Sequence, residues 1–475
     1  MLLCLITVAV NSYSQYSSSN WEKFRSFGPG LEQAGWIETK TSEEIESSPW
    51  SIGCETLDRS YTVYNNYKGY IEELGIKSAR LQGGWARCEK EKGRYDFNWL
   101  DSIVYDLSQR GIKPWICLCY SNPLYSSDVQ GVRIFESEET LDAWCNWVKA
   151  IVRHYKDVVT EWEIWNEPNR WEGDPAVYAN LLIRTSEIIK GIQPDGEIIA
   201  FALRGIQLDF VREVLDILKR ENKIGIVDYI SYHHYEFIPK NSYPEVEKLR
   251  ALAHSYNPEI KLFQGENAAP SDNHYFYHAL CDYPWTEVSQ AKWYTRRMAG
   301  DRIRGIRSSI FTIVDIRYPD VLLSMGLFRA NLLQEVLCKK PAFYAVQHMA
   351  NILDGSVLPA GEVSFKLNSL NTREISVGLL KKGDSPILLI WLDDRVPSDD
   401  FAWNLADISI PDIHFKDPVY VEAISGKVYE LEKTDWKNRD GEFIIKNLPV
   451  WDGVILIAER SEINLTNYVQ KKNSN

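Results

Sequence analysis

Two glutamates stand in surroundings that a surface carboxylate does not need. Glu167 closes the stretch EWEIWNEP, and Glu266 closes IKLFQGEN, each after an apolar, strand-forming run. Trp162, Trp165 and Trp171 flank Glu167 in sequence, which predicts partial desolvation, a raised pKa and a proton held near neutral pH. Pro168 fixes the exit of the chain and supplies no N–H. Asn166 can both donate and accept through its amide. Gly265 allows something to approach the backbone closely, and Ala268 and Ala269 leave room in front of Glu266. A carboxylic acid and a carboxylate facing each other across a sugar-sized gap can break a glycosidic bond. One protonates the leaving oxygen, and the other attacks C1 or activates water. A separation of about 5–5.5 Å retains the anomeric configuration and one of about 6.5–9.5 Å inverts it. Most glutamates are solvated surface, and Glu161 and Glu163 compete in the same stretch, so the elements must decide.

Between residues 50 and 350 a short apolar run, a polar loop and a helical pattern repeat. The strand candidates are 50–54, 78–82, 113–119, 158–165, 197–202, 227–233, 260–265 and 309–314. Amphipathic stretches lie between them, at 98–110, 138–155, 175–190, 209–221 and 286–304. Gly-Ile-Lys occurs at 75–77 and 111–113, a helix end feeding a strand. Eight strand–helix units in about 300 residues predict an α/β fold, a (β/α)8 TIM barrel. The alternative, an open doubly wound sheet, lacks a Gly-rich phosphate loop after the first strand. Reacting groups of such barrels sit at the C-terminal strand ends. Glu167 ends strand four and Glu266 strand seven, ends that roughly face each other across the mouth. After residue 350, alternating runs separated by Lys-Gly-Asp, Ser-Gly-Lys and Asp-Gly turns predict a C-terminal β-sandwich domain, 351–475. The catalytic barrel is expected over 50–350, and residues 15–49 are expected to add to the sandwich.

At this point the chain resembles a known group. EIWNEPN followed by GEN three units later resembles the clan A glycoside hydrolases, which are retaining (β/α)8 enzymes. WNEPN, the following sandwich and KKPAFYAVQHM at 339–349 look most like family 39 and its relatives. The resemblance covers roughly residues 45–460. It implies Glu167 as acid/base, Glu266 as nucleophile and Asn166 as a hydrogen-bond partner of the sugar 2-hydroxyl. It implies that Arg80, on strand two, stands beside the nucleophile and keeps it ionised; the plainer reading of Arg80 is a structural salt bridge. His233 and Tyr235, in SYHHYEF, resemble the clan's sugar-binding and nucleophile-orienting pair; a histidine packed in the barrel is the plainer reading. The strand-seven stretch departs from the commoner family 39 patterns, so neither β-xylosidase nor α-L-iduronidase activity is carried over.

Other candidates come from position alone. Glu55, Asp58 and Arg59 follow strand one and could bind hydroxyls; Asp58 could instead cap a helix. Trp85 is the expected stacking platform for a sugar ring, and Gln82 and Asn122 could line the pocket. Asp315 and Arg317 follow strand eight. An acidic sugar would follow if Arg59, Arg87 or Arg317 faced the pocket. No metal or other cofactor is expected: His233 and His234 are adjacent on a strand and point opposite ways.

Composition bounds the partners. The 17 Trp and 26 Tyr suit sugar faces as well as plain cores. A net charge of −13 excludes a nucleic-acid binder, which needs a basic stripe. Residues 1–14 read as a secretory signal peptide without a basic n-region, which predicts a secreted or periplasmic protein; a buried strand is the alternative. No stretch is apolar enough for a membrane span. The eight cysteines fit neither a disulfide framework nor a zinc site and read as small buried residues. The expected activity is a retaining glycoside hydrolase acting on a poly- or oligosaccharide. A non-catalytic carbohydrate-binding protein on the same scaffold and a metal-assisted barrel hydrolase are the competitors. The sequence leaves the oligomeric state open.

Overall fold

The computed structural model describes residues 18–128, 130–273, 279–361, 363–367 and 373–467. The expected signal segment, 1–14, lies outside them. Eight parallel strands close a barrel: β1 (Trp50–Gly53), β2 (Ser78–Gln82), β3 (Lys113–Leu118), β4 (Glu161–Ile164), β5 (Glu197–Arg204), β6 (Tyr229–His233), β7 (Lys261–Asn267) and β8 (Arg307–Ile310). Each pairs with its neighbour in sequence, and β8 pairs with β1 to close the ring. The (β/α)8 reading is therefore correct. After the successive strands come α1 (Lys68–Ile71), α2 (Asn98–Gln109), α3 (Glu138–Tyr155), α4 (Pro175–Ile192), α5 (Leu208–Arg220), α6 (Tyr243–Tyr256), α7 (Glu287–Ile303) and α8 (Pro341–Ile352).

Local chemistry sets these boundaries. Ser137 caps α3 by accepting from Thr140 N, and Asp174 caps α4 by accepting from Ala176 N and Val177 N. Thr286 and Ser289 form a capping box at α7. Gly75 and Gly111 end helical turns at φ 69° and 70°, and the chain then enters β2 and β3. A Cβ on Gly75 would also meet Asn351 Nδ2 at 2.6 Å.

Three expectations need correction. Strand four is shorter than 158–165, because Trp165 turns to φ 66° and Glu167 to φ 53°. The chain bends before it reaches the carboxylate. Strand eight spans Arg307–Ile310 rather than 309–314, since its pairing with β1 ends at Ile310 and Ile52. The helix expected over 286–304 is not amphipathic in effect, for every residue from Glu287 to Arg302 is buried.

The reason for the last lies in the antiparallel layers. An eight-stranded sheet (strands within Val357–Asn467 plus Gln33–Ile37) and a four-stranded sheet form a separate β-sandwich. Gln33–Ile37 pairs with Lys427–Glu430 and Leu465–Asn467. Sandwich loops cover the outer face of α7: Arg296 Nε donates to Asp452 O at 2.6 Å and Lys292 Nζ to Ser398 O at 2.7 Å. Buried charges on that face are thus paired rather than solvated. Cys54, Cys88, Cys117, Cys119 and Cys145 are buried free thiols, whereas Cys281 and Cys338 are only half-buried, a departure from the expected burial of all eight. Cys4 lies outside the described residues. No helix of the described residues is long and apolar enough to cross a membrane.

Candidate active site

The barrel mouth gathers a charged cluster around one guanidinium. On β2 Arg80 faces inward, is fully buried, and donates in four directions. Nη1 reaches Glu266 Oε2 at 3.0 Å and Glu55 Oε1 at 3.2 Å, and Nε reaches Glu163 Oε2 at 3.0 Å. Nη2 donates to Glu163 as well and to Asn166 Oδ1 at 2.8 Å. The remaining face of Arg80 lies over the Trp115 ring at 5.5 Å. Arg80 on β2, Glu163 on β4 and Glu266 on β7 meet Glu55 and Asn166, which lie just beyond β1 and β4, and this is possible only because the barrel closes.

Glu266 is held from both sides. Tyr235, just beyond β6, donates its hydroxyl to Oε1 at 2.7 Å, and Arg80 holds Oε2. Gly265 beneath it answers a packing need: a Cβ there would meet Ser231 Oγ at 2.1 Å. That hydroxyl donates to Glu163 Oε1 at 3.1 Å.

Glu167 stands opposite. His233 Nδ1, at the end of β6, lies 3.3 Å from Glu167 Oε1 and 3.7 Å from Glu266 Oε2. One ligating atom each from Glu167, His233 and Glu266 lie within 4.8 Å of one another. Arg170 Nη1 donates to Glu167 Oε2 at 2.7 Å. Asn166 donates to the Tyr120 hydroxyl at 2.8 Å, which leaves its second amide hydrogen without a partner among the described residues.

These contacts set the protonation. Burial pushes Glu167 up, but the hydrogen bond and charge of His233, with Arg170, outweigh it and hold the carboxyl below its ordinary value. The tryptophan-driven rise expected from the sequence is thus overturned. Trp162 turns outward to Gln193, Trp171 is 59% exposed, and only Trp165 is buried nearby. Burial lowers His233, yet the charge of Glu266 and the bond to Glu167 carry it upward overall. Burial also raises Glu55; opposed by Arg80 and reinforced by Glu266 and Glu163, it reaches about 7. Burial of Glu55, whose Oε2 has no partner among the described residues, is what favours its protonated form beside the other carboxylates on this guanidinium.

Residues 67–260 match the model of glycosyl hydrolases family 39. That stretch of the barrel is therefore similar to family 39 glycoside hydrolases. The fold agrees. A family 39 glycoside hydrolase from the gut symbiont Bacteroides cellulosilyticus WH2 is 16% identical, with TM-score 0.62 over 89% of this chain and 82% of that one. A monomeric β-xylosidase from Caulobacter crescentus CB15 is 17% identical, with TM-score 0.57 over 90% and 97%. A family 30 endoxylanase from Clostridium papyrosolvens C71 is 14% identical, with TM-score 0.52 over 90% and 98%.

Not every expected residue reaches the cluster. Glu167, Glu266, Asn166, Arg80, His233, Tyr235 and Glu55 come together. Trp85 does not: it is fully buried, stacked on Tyr125 at 5.3 Å, and donates to Glu89 at 2.6 Å. It cannot stack on a sugar. Asn122 is buried too, its amide spent on Glu89 O and Leu124 N. Gln82 accepts from Arg59 at 2.6 Å, Asp58 pairs with Arg59 rather than capping a helix, and Asp315 is bound to Lys340. Arg59 stacks over Tyr120 at 4.9 Å, one ring behind Asn166, whereas Arg87 lies over Trp99. His234 turns away to Glu236.

Tyr120 and Arg170 were not singled out by sequence reasoning, and Glu163 entered it only as a competitor of Glu167. A signal for Glu163 existed: it sits inside an apolar strand, two residues from Glu161, with barrel-facing parity. Tyr120 and Arg170 lie on loops, where no periodicity points inward.

Proposed function

We propose that the protein is a retaining glycosidase that works by double displacement, with Glu266 as nucleophile and Glu167 as acid/base. The observation that carries this reading is the approach of the two carboxylates, whose nearest oxygens lie within 4.8 Å across the barrel mouth. That spacing falls on the retaining side of the divide, short of the roughly 6.5–9.5 Å that an inverting pair keeps for its water. Glu266 attacks C1 while Glu167 protonates the leaving oxygen. Glu167 then draws a proton from water, which attacks C1 and frees Glu266. Arg80 and Tyr235 hold the Glu266 carboxylate in a fixed orientation until it attacks. Asn166 offers its remaining amide hydrogen to a sugar hydroxyl, a contact that strengthens as the oxocarbenium character develops. Trp171, exposed beside Glu167, takes the stacking role.

The substrate class is a poly- or oligosaccharide outside the cytoplasm, reached through an N-terminal signal segment. Xylosides head the assay panel, because one of the similar structures is a β-xylosidase and another an endoxylanase.

The test compares wild type, Glu167→Gln and Glu266→Ala on a broad panel of aryl glycosides and oligosaccharides, each with added azide. Both variants should lose activity, and azide should rescue them with opposite product anomers. Near-full rate in either variant would remove that residue from the reaction. Sugar binding with no cleavage in the wild type would favour the binding-protein reading.

A further inference from the structure

The contact between Arg170 and Glu167 poses a problem for an acid/base. A general acid must carry a proton when substrate is bound. Here a guanidinium sits 2.7 Å from the carboxylate and favours its ionised form. Unlike Arg80, Arg170 is not locked in the barrel. Its side chain is 34% exposed, against 10% for Glu167, so it bridges the buried carboxylate and solvent. It stacks at 4.9 Å on Trp171.

The loop is built to hold it there. Arg170 N donates to Glu167 O at 3.0 Å. Trp171 and Glu172 take left-handed φ values of 55° and 56°, a conformation that side chains other than Gly, Asn or Asp adopt at some cost. A Cβ on Gly173 would meet Pro168 O at 1.8 Å, so the loop closes tightly on itself.

Two further arginines flank the loop in a chain of charge −13. Exposed Arg204 ends β5, its backbone bound to Asn169 by two hydrogen bonds. Arg133 reaches Glu172 O from the loop before α3, although Glu136 partly offsets it. Of the loop's acids, Asp174 is spent as a helix cap and Glu172 is exposed.

We propose that Arg170 is an oxyanion receptor on the leaving-group side: the enzyme takes glycosides whose leaving group carries a carboxylate or sulfate, and that anion draws Arg170 away from Glu167. This rests on the reading of Glu167 as acid/base. The exchange removes a cation from the acid and places a like charge near it, and both changes favour the protonated form. His233 on β6 and, beyond it, Glu266 on β7 remain as the other charges facing Glu167, so the anion adds to their balance rather than setting it alone.

The test titrates full-length Glu266→Ala protein calorimetrically with two charge-only pairs: trigalacturonate against its methyl ester, and sulfated neocarrabiose against desulfated neocarrabiose. At least one anionic member should bind tenfold or more tightly than its neutral twin, and the pair that differs tells carboxylate from sulfate. Adding Arg170→Gln should abolish the difference and Arg170→Lys should keep part of it. Equal binding within both pairs, or a preference that survives Arg170→Gln, overturns the proposal. On a neutral aryl glycoside, Arg170→Gln alone should move the basic limb of kcat/KM up by about one pH unit; an unmoved limb also overturns it. A Glu167→Gln variant of undiminished activity would instead sink the acid/base reading beneath it.

Discussion

The Tyr235 hydroxyl donates to Glu266 Oε1 at 2.7 Å, from just beyond β6 and 31 residues earlier in the chain. This bond and the one from Arg80 fix both oxygens of the carboxylate, so its orientation depends on groups from two other parts of the barrel. Tyr235→Phe removes one charge-assisted bond, worth about 1.5–3 kcal/mol. The rate of formation of the glycosyl-enzyme should fall about 10–100-fold with little change in Tm. Burst kinetics would show it, and an unchanged burst rate would mean the bond is not used in attack.

Arg80 is the shared counter-ion of Glu55, Glu163 and Glu266, with no exposure to water. Arg80→Met leaves these carboxylates facing one another in a poorly solvated site. A loss of about 3–5 kcal/mol is expected, as for breaking a buried pair from one side. Urea unfolding measures it. A loss under about 1 kcal/mol would show that the cluster neutralises itself by taking up protons.

Stability should decline as pH rises above about 5. Burial, opposed by Arg80 and reinforced by Glu266 and Glu163, raises Glu55 from 4.5 to about 7. The folded chain therefore binds a proton that the unfolded chain has released, so this contribution is complete below pH 4.5 and lost as pH passes 7. The gap corresponds to about 3 kcal/mol. His233, raised above 6.5 overall, acts in the same direction. Glu167, lowered overall, acts oppositely and only where the medium is more acidic than pH 4.5. Thermal unfolding from pH 5 to 8 should show a falling Tm, and Glu55→Gln should flatten most of the fall. A wild-type Tm constant over that range contradicts the assignment.

Trp85 and Trp171 should exchange the roles that position alone suggested. Trp85→Ala removes a fully buried ring and should cost about 3–5 kcal/mol. Trp171→Ala, at a residue 59% exposed, should leave stability within about 0.5 kcal/mol and raise KM. Unfolding curves beside Michaelis kinetics separate them; an unaffected KM in Trp171→Ala would remove it from the sugar path.

Glu167, His233 and Glu266 place three possible metal ligands within 4.8 Å. Arg80, Arg170 and Tyr235 already supply the positive charge and donors that a cation would otherwise bring. Activity should therefore survive prolonged EDTA dialysis without loss. A fall restored by a divalent ion would favour the metal-assisted alternative.

How much was legible follows the range of the cause. The eight barrel strands were readable within a few residues, because apolar runs, capping residues and Gly-Ile-Lys turns are local signals. Helix α3 begins and ends where its pattern does. The helix at 286–304 was placed correctly but judged wrongly, since its second buried face is made by sandwich loops about 100 residues away. Trp85 failed for the same kind of reason: its strand-end position resembles a pocket wall, but Tyr125, Trp144 and Trp147 enclose it.

The sequence by itself determined the strand–helix alternation and placed Glu266 at a strand end and Glu167 just past one. Periodicity and turn chemistry act over a few residues, so they can be read along a chain. Only the tertiary structure decided which charges meet. Arg80 and Glu266 are 186 residues apart and pair at 3.0 Å, and the proton balance of Glu167 is set by His233, 66 residues on, and by a loop arginine. Coulomb energy depends on distance through space and on the surrounding dielectric, and barrel closure creates both.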